Sequence, residues 1–197
     1  MSAPKILVAF YSSFGTNHQM AAAAAEAARE AGAEVRLRRF PETAPEEVVN
    51  SIDPWKAENA RQQDIDVISH DDMEWAEGYF LSVPTRYGSQ ASQARAFIDT
   101  LGPLWQQGKL ANKTFTATSS AQNAHGGQEM TVQSLNTTAM HWGCYIIPPG
   151  YADPVKFEDG GNPYGYTTRG GEFDATGSKS VAYQAKRLVD ATAKLAG

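Results

Sequence analysis

An almost unbroken apolar run from Lys5 to Tyr11 (KILVAFY) lies close to the start of the chain. So short a run does not suit a typical helix, and a continuous apolar run of this length is typical of a strand buried on both faces. Strands of that kind belong to parallel sheets, because crossover helices cover both faces of such a sheet. The run therefore predicts an α/β fold.

Helical and strand-like segments alternate after this first strand. An alanine-rich run from Asn17 to Ala31 predicts a helix that ends at Gly32, and the alternating segment Ala33–Phe40 predicts a second strand. Further strands are predicted at Glu77–Val83, Lys113–Ser119 and Cys144–Ile147, with helices at Ala91–Leu101, Gln128–Trp142 and Ser178–Leu195. We therefore expect a flavodoxin-like, doubly wound, five-stranded parallel sheet with helices on both faces.

Two stretches do not follow this alternation. Glu42–His70 is rich in charge and proline and predicts a partly helical insertion at one edge of the sheet. Gly150–Gly177 is glycine-rich and predicts a long irregular segment. Neither stretch has the composition of a linker, so we expect residues 1–197 to form a single domain.

The bulk composition excludes several classes of protein. The mean hydropathy of -0.43 and the absence of a long apolar run argue against an integral membrane segment. The first residues lack the pattern of a signal peptide, so we expect a cytoplasmic protein. A net charge of -5 argues against a nucleic-acid partner, because phosphate-backbone binding needs a basic face. The single cysteine, Cys144, excludes an internal disulfide.

The loop after the first strand, residues 12–17 (SSFGTN), leaves a buried strand and enters a helix. Hydroxyls and the free N–H groups of a helix start can bind phosphate, and a glycine permits close approach of the backbone. The loop lacks the GxxxxGK[ST] and GxGxxG patterns of nucleotide-binding loops. It fits either a phosphate monoester held by neutral donors or an ordinary helix start. The candidate residues are Ser12, Ser13, Phe14, Gly15, Thr16 and Asn17.

The loop after the third predicted strand (PTRYG) combines a fixed bend, a hydroxyl, a guanidinium and an aromatic ring. A flavin needs a planar slot, hydrogen bonds to its ring edge and often a nearby positive charge. The alternative is a tight turn whose arginine pairs with a surface carboxylate. The candidate flavin-binding residues are Pro84, Thr85, Arg86, Tyr87 and Gly88.

The loop after the fourth predicted strand (SSAQNAHGG) again mixes donors with glycine. Its backbone could lie along the edge of a flavin, although a lone loop histidine is usually solvated. The candidate residues are Ser120, Ala121, Gln122, Asn123, Ala124, His125 and Gly126. Ligands of doubly wound sheets bind outside the carboxyl ends of the strands, so we expect all three loops to meet there.

Other chemistries have little support. The histidines show no metal-binding spacing, so we expect no metal site. The acidic cluster Asp71, Asp72 and Glu74 reads as a solvated turn at the opposite end of the sheet. Taken alone, Trp105 fits a core residue, and His141 fits a helix cap or a core residue.

Read together, the motifs YSSFGTN, PTRYG, GPLWQQG, AHGGQE, MHWG, PPGY and NPYGYTT resemble those of the WrbA family, the flavodoxin-like NAD(P)H:quinone oxidoreductases. The resemblance runs from Lys5 to Thr168. It implies an enzyme that uses FMN to reduce quinones by two electrons in a ping-pong mechanism, with NADH or NADPH as co-substrate. It also implies a homotetramer.

The resemblance further implies roles for particular residues. Residues 12–17 would hold the FMN phosphate, Thr85, Arg86 and Tyr87 the isoalloxazine ring, and residues 120–126 the edge of the flavin. His141 would approach the FMN, from the same or a neighbouring subunit. Phe14 would lie at the nicotinamide position and Trp105 at the substrate wall.

This chain departs from the family pattern in two places. The third loop is longer by one residue, with His125 inserted, and Phe14 stands where the family often has tyrosine. Two other functions remain open at this point: a one-electron carrier between protein partners, like a true flavodoxin, and a non-enzymatic regulator of a repressor.

Overall fold

The computed structural model describes residues 2–196, which form a main sheet flanked by helices and a separate two-stranded hairpin. The strands are β1 Lys5–Phe10, β2 Glu34–Arg39, β3 Gly78–Ser82, β4 Thr85–Arg86, β5 Ser89–Gln90, β6 Thr114–Ala121, β7 Tyr145–Ile146 and β8 Thr167–Arg169. The helices are α1 Thr16–Glu30, α2 Glu46–Asn50, α3 Asp53–Arg61, α4 His70–Trp75, α5 Ser92–Asp99, α6 Gly102–Gln106, α7 Gln128–Trp142 and α8 Ala175–Ala196. A short 3-10 helix lies at Pro154–Phe157.

The main sheet has the strand order β2-β1-β3-β6-β7, and every pairing in it is parallel. This is the doubly wound order in which the second strand stands outside the first. The predicted flavodoxin-like α/β fold is therefore confirmed.

Alternate residues of β1 serve the cores on the two faces of the sheet. Ile6, Val8 and Phe10 pack with residues of α1 and α8 on one face. Leu7 and Ala9 pack with residues of α5 and α7 on the other. All five side chains are fully buried, and burying a large apolar side chain contributes about 1.5–3 kcal/mol. The apolar run that predicted a strand buried on both faces therefore contributes side chains to both cores.

The last strand position of the sheet is divided between two short strands. β7 pairs with the start of β6, and β8 pairs with its end, at Ser119–Ala121. Between them the chain leaves the sheet and forms the 3-10 helix. The segment Gly150–Gly177, predicted to be irregular, therefore contains a strand. The final helix also starts at Ala175 rather than at the predicted Ser178.

The insertion predicted at Glu42–His70, between β2 and β3, is partly helical as expected and contains α2 and α3. It touches the β2 edge through a bridge between Arg39 and Val67. It also reaches the carboxyl end of the sheet, where Gln62 bonds to the first loop. The prediction of an insertion confined to the edge is therefore incomplete.

The prediction of a solvated acidic turn is wrong for Asp72, which is 3% exposed. Its carboxylate caps α4 together with Ser69, and it pairs with Arg36 at 3.0 Å and Arg38 at 3.1 Å. Burial alone would raise the pKa of Asp72, but hydrogen bonds from Ser69, Arg38 and Arg36 outweigh it and hold the pKa below its ordinary value. The arginines of β2 are thus paired with a buried carboxylate at the edge of the sheet.

Within residues 2–196, none of the helices combines the length and the apolar character that crossing a bilayer requires.

Candidate cofactor site

The three predicted loops meet at the carboxyl end of the sheet and enclose a cleft of about 310 Å³. It is lined by Ser12, Ser13, Phe14, Thr16, Asn17, Pro84, Thr85, Arg86, Ser120, Ala121, Gln122 and Gly170. All of these except Gly170 belong to the residues selected from the sequence. The structure therefore brings the three loops together as expected.

The first loop presents the start of α1 to this cleft. Gly15 precedes the helix with a left-handed φ of 98° and donates its N–H to Ser12 Oγ at 2.9 Å, while no side chain caps the N–H groups that follow. The first N–H groups of a helix have no acceptor within it, so those of α1 are available to an anion. Serine and threonine hydroxyls stand beside them, and this set of neutral donors fits a phosphate monoester such as that of FMN.

Asn17 fixes the start of α1 against the other strands. Its Nδ2 donates to Ser82 Oγ at 3.2 Å, and its Oδ1 accepts from Ser120 Oγ at 2.5 Å. Asn17 is 1% exposed, so these bonds are shielded from water. One side chain therefore sets the position of the first loop relative to β3 and to the end of β6.

The second loop is the antiparallel hairpin of β4 and β5. Its two turn residues, Tyr87 and Gly88, have φ values of 54° and 82°, as a tight hairpin turn requires. The hairpin packs backbone to backbone on the third loop, since a Cβ on Gly127 would lie 2.7 Å from Gly88 Cα. Thr131 Oγ1 also donates to Thr85 Oγ1 at 2.8 Å. Two walls of the cleft are thus held at a fixed separation.

Arg86 is the one charged side chain among the described residues that line the cleft. Its Nη1 donates to Thr85 O at 2.9 Å, and its Nη2 donates to Ser13 Oγ at 3.2 Å. The guanidinium thus spans the gap between the second loop and the first. A positive charge in this position can balance the negative charge of a reduced flavin.

A hydrogen-bonded chain continues from Ser13 away from the cleft. Ser13 Oγ donates to Tyr11 OH at 3.1 Å, and Tyr11 OH donates to Glu42 Oε2 at 2.8 Å. Burial raises the pKa of Tyr11, so its phenol remains a neutral donor. Burial would raise the pKa of Glu42 too, but hydrogen bonds from the Ala44 N–H and the Gln93 side chain, among others, hold it below its ordinary value. Glu42 is therefore a fixed acceptor behind the cleft.

Several predicted residues stand outside the cleft. Asn123, Ala124 and His125 are exposed in the third loop, while Gly126 packs against Ala121. Tyr87 is fully exposed and lines a neighbouring cavity of about 670 Å³.

Trp105 and His141 lie together in a separate cavity of about 650 Å³. Trp105 Nε1 donates to the backbone carbonyl of His141 at 3.0 Å. Trp105 is 58% exposed, so interpreting it as a core residue is wrong. The described residues of one chain do not bring either side chain into the cleft, and their roles toward FMN and substrate stay predictions.

The sequence reasoning missed Gly170 and Gly171. The Gly170 N–H donates to Ala121 O at 2.7 Å, and the Gly171 N–H donates to Thr16 Oγ1 at 3.0 Å. Together they close the side of the cleft between the first and third loops. Their only local signal is the glycine pair itself, which indicates a turn without indicating what the turn contacts.

The strand order and the cleft define a flavodoxin-like protein whose loops are suited to FMN. Solved structures agree on the fold. A WrbA-like flavodoxin from Agrobacterium tumefaciens superimposes with a TM-score of 0.69 at 17% identity, covering 98% of this chain and 99% of that one. A flavodoxin from the domain Archaea gives a TM-score of 0.60 at 15% identity, covering 98% and 99%.

Residues 5–156 match the family model described as NADPH-dependent FMN reductase, and the chain belongs to this family. A Deinococcus radiodurans protein named NAD(P)H dehydrogenase (quinone) is 53% identical over the whole of both chains. A Chelativorans protein of the same name is 39% identical, covering 97% of this chain and 98% of its own. The predicted oxidoreductase with FMN as cofactor and NAD(P)H as electron donor is thereby confirmed, as is the family resemblance.

Proposed function

We propose that this protein reduces quinones by two electrons at the expense of NADH or NADPH, through bound FMN and by a ping-pong mechanism. The overall reaction is NAD(P)H + H⁺ + quinone → NAD(P)⁺ + hydroquinone. The observation that carries the proposal is the cleft itself, where three loops combine neutral hydrogen-bond donors suited to a phosphate with one guanidinium. The names of the relatives from Deinococcus radiodurans and Chelativorans support a quinone as the acceptor.

We assign the three loops to the parts of FMN as the family resemblance implies. Residues 12–17 would hold the phosphate, Thr85, Arg86 and Tyr87 the isoalloxazine ring, and residues 120–126 its edge. When bound, FMN supplies a carrier that accepts two electrons from one substrate and passes them to the next. The protein's own task is to orient the ring and to leave one face open.

The surroundings of the cleft offer room for a planar substrate. Phe14 at the rim is 49% exposed, and its ring centroid is 6.5 Å from that of Trp55 in α3. Trp55 Nε1 donates to Glu42 Oε2 at 3.2 Å, which holds the indole in place. Trp55 also lines the neighbouring cavity, which meets the cleft at Arg86. This cavity supports alternate binding of nicotinamide and quinone beside the flavin.

We further propose a cytoplasmic homotetramer in which His141 and Trp105 reach the FMN site of a neighbouring subunit. The support is the exposure of large side chains near their cavity, with Trp105 at 58% and Met140 at 60%. Light scattering after size-exclusion chromatography tests the assembly. A monomer at micromolar concentration would contradict it.

Anaerobic stopped-flow absorbance tests the reaction. We expect NADH or NADPH to bleach the bound flavin, and a quinone mixed in afterwards to restore the oxidised spectrum. Parallel lines in double-reciprocal plots would support the ping-pong order, and converging lines would refute it. A flavin that neither nicotinamide bleaches would refute the reductase and favour the one-electron carrier.

A further inference from the structure

The insertion between β2 and β3 makes a direct bond to the backbone of the first loop. Gln62, just after α3, donates from Nε2 to the carbonyl oxygen of Ser12 at 2.8 Å. Gln62 is 6% exposed and Ser12 is 5% exposed, so water does not compete for this bond. Gln62 does not line the cleft, whereas Ser12 does. The bond therefore supports the loop from behind.

A buried carboxylate holds Gln62 in this position. Glu58 is 1% exposed, and its Oε1 accepts from Gln62 Nε2 at 2.8 Å. His18 Nδ1 lies 2.7 Å from the same oxygen, and Arg61 Nε donates to Oε2 at 2.9 Å. Burial alone would raise the pKa of Glu58, but the bonds from Gln62, Arg61 and His18 hold it below its ordinary value. Glu58 is thus an ionised acceptor with three partners.

The same carboxylate packs against the glycine that precedes α1. A Cβ on Gly15 would lie 3.2 Å from Glu58 Oε2 and 3.6 Å from Arg61 Nη2. His18, in the first turn of α1, stacks on Phe10 with ring centroids 4.7 Å apart. The insertion therefore contacts the first loop both at Ser12 and at Gly15, the residue that precedes α1.

We propose that Gln62 and Glu58 are positioning residues for the FMN phosphate. They hold the Ser12 carbonyl on the rear side of the loop, so that the N–H groups and hydroxyls face the cleft before FMN arrives. A loop that is already ordered loses less conformational entropy on binding, which raises affinity. The inference rests on FMN as the cofactor of this family and does not depend on which molecule accepts the electrons.

The experiment compares the apoprotein's affinity for FMN with its affinity for riboflavin, which lacks the phosphate. Titration of flavin fluorescence gives both dissociation constants. Gln62→Met removes the hydrogen-bond donor but keeps the length of the side chain. Gln62→Asn keeps the amide but shortens the side chain by one methylene, so the amide no longer reaches Ser12. Gln63→Met is the matched control, because Gln63 is exposed and bonds only within its own helical turn, to Asn59.

For both Gln62 variants we expect FMN affinity to fall by about tenfold, because the buried hydrogen bond that holds the Ser12 carbonyl is lost. Riboflavin affinity should stay within about twofold, and the Gln63 variant should change neither. Equal losses for FMN and riboflavin would overturn the proposal, as would unchanged FMN affinity in either variant. If the methionine variant shows no cooperative thermal transition, it is not folded, and the affinities of the asparagine variant then test the proposal. Failure of the unaltered protein to bind FMN would instead refute the proposed function.

Discussion

Lys156 lies in the segment between β7 and β8 and has no exposed surface. Its Nζ is 2.5 Å from Asp159 Oδ2, and Ser180 Oγ on α8 donates to the same carboxylate. The backbone N–H of Gly161 donates to the other oxygen of Asp159 at 2.9 Å. Through Ser180, this buried ion pair holds the segment between β7 and β8 against α8. The same segment leads to β8 and then to Gly170, which lines the cleft.

Replacing Lys156 with methionine should destabilise the protein strongly. Removing one partner of a buried pair costs about 3–5 kcal/mol, because a charge is left without its counter-ion. Ser180 and Gly161 still donate to Asp159, so we expect the lower end, about 3 kcal/mol. For a chain of this size that corresponds to a fall in Tm of about 6–12 °C.

Urea unfolding of the apoprotein, followed by far-UV circular dichroism, measures this loss. The double variant Lys156→Met with Asp159→Leu removes both charges and should recover all but about 1 kcal/mol. Lys179→Met is the control, since Lys179 is exposed, and should stay within about 0.5 kcal/mol of the parent. A loss below about 1 kcal/mol for Lys156→Met, or a double variant no better than the single one, would refute the reasoning.

Three further predictions concern the cleft. The pKa of Glu42 lies below its ordinary 4.5, so its contribution to stability is complete above about pH 4.5 and is lost as the pH falls through the lowered pKa. Glu42→Gln should therefore lose less stability than the parent between about pH 6 and pH 3 in urea titrations. Gly127→Ala should weaken FMN binding by about tenfold or more in fluorescence titrations, because the new Cβ would push against Gly88 in the second loop. Gly32→Ala is the control and should leave FMN binding unchanged, because Gly32 also has a left-handed φ but a Cβ there would contact nothing. Trp55→Ala should raise the KM for quinone about fivefold in steady-state assays without lowering FMN content; an unchanged KM would remove Trp55 from the substrate wall.

The sheet and the three loops could be predicted because their signals are local. β1 and β3 are apolar runs, and each is followed at once by turn residues that carry hydroxyls or a guanidinium. The division of the last strand could not be predicted in this way. The strand predicted at Cys144–Ile147 contains β7, but β8 has three residues, which are too few for an alternating pattern. Both strands form on the same side of β6, where they pair with its first two and its last three residues.

The first loop shows why local signals identify a site less surely than they identify a strand. A hydroxyl-rich helix start fits a cap and a phosphate site equally well, because both use the same N–H groups. In this structure the Gly15 N–H donates to Ser12 Oγ at 2.9 Å, whereas the N–H groups that follow it at the start of α1 have no side-chain cap and are available. Three hydrogen bonds that hold the loop involve residues far along the chain. Gln62 bonds to Ser12, Ser120 to Asn17, and Gly171 to Thr16. Because only the fold brings these residues together, the sequence of the loop alone does not reveal the contacts that hold it in place.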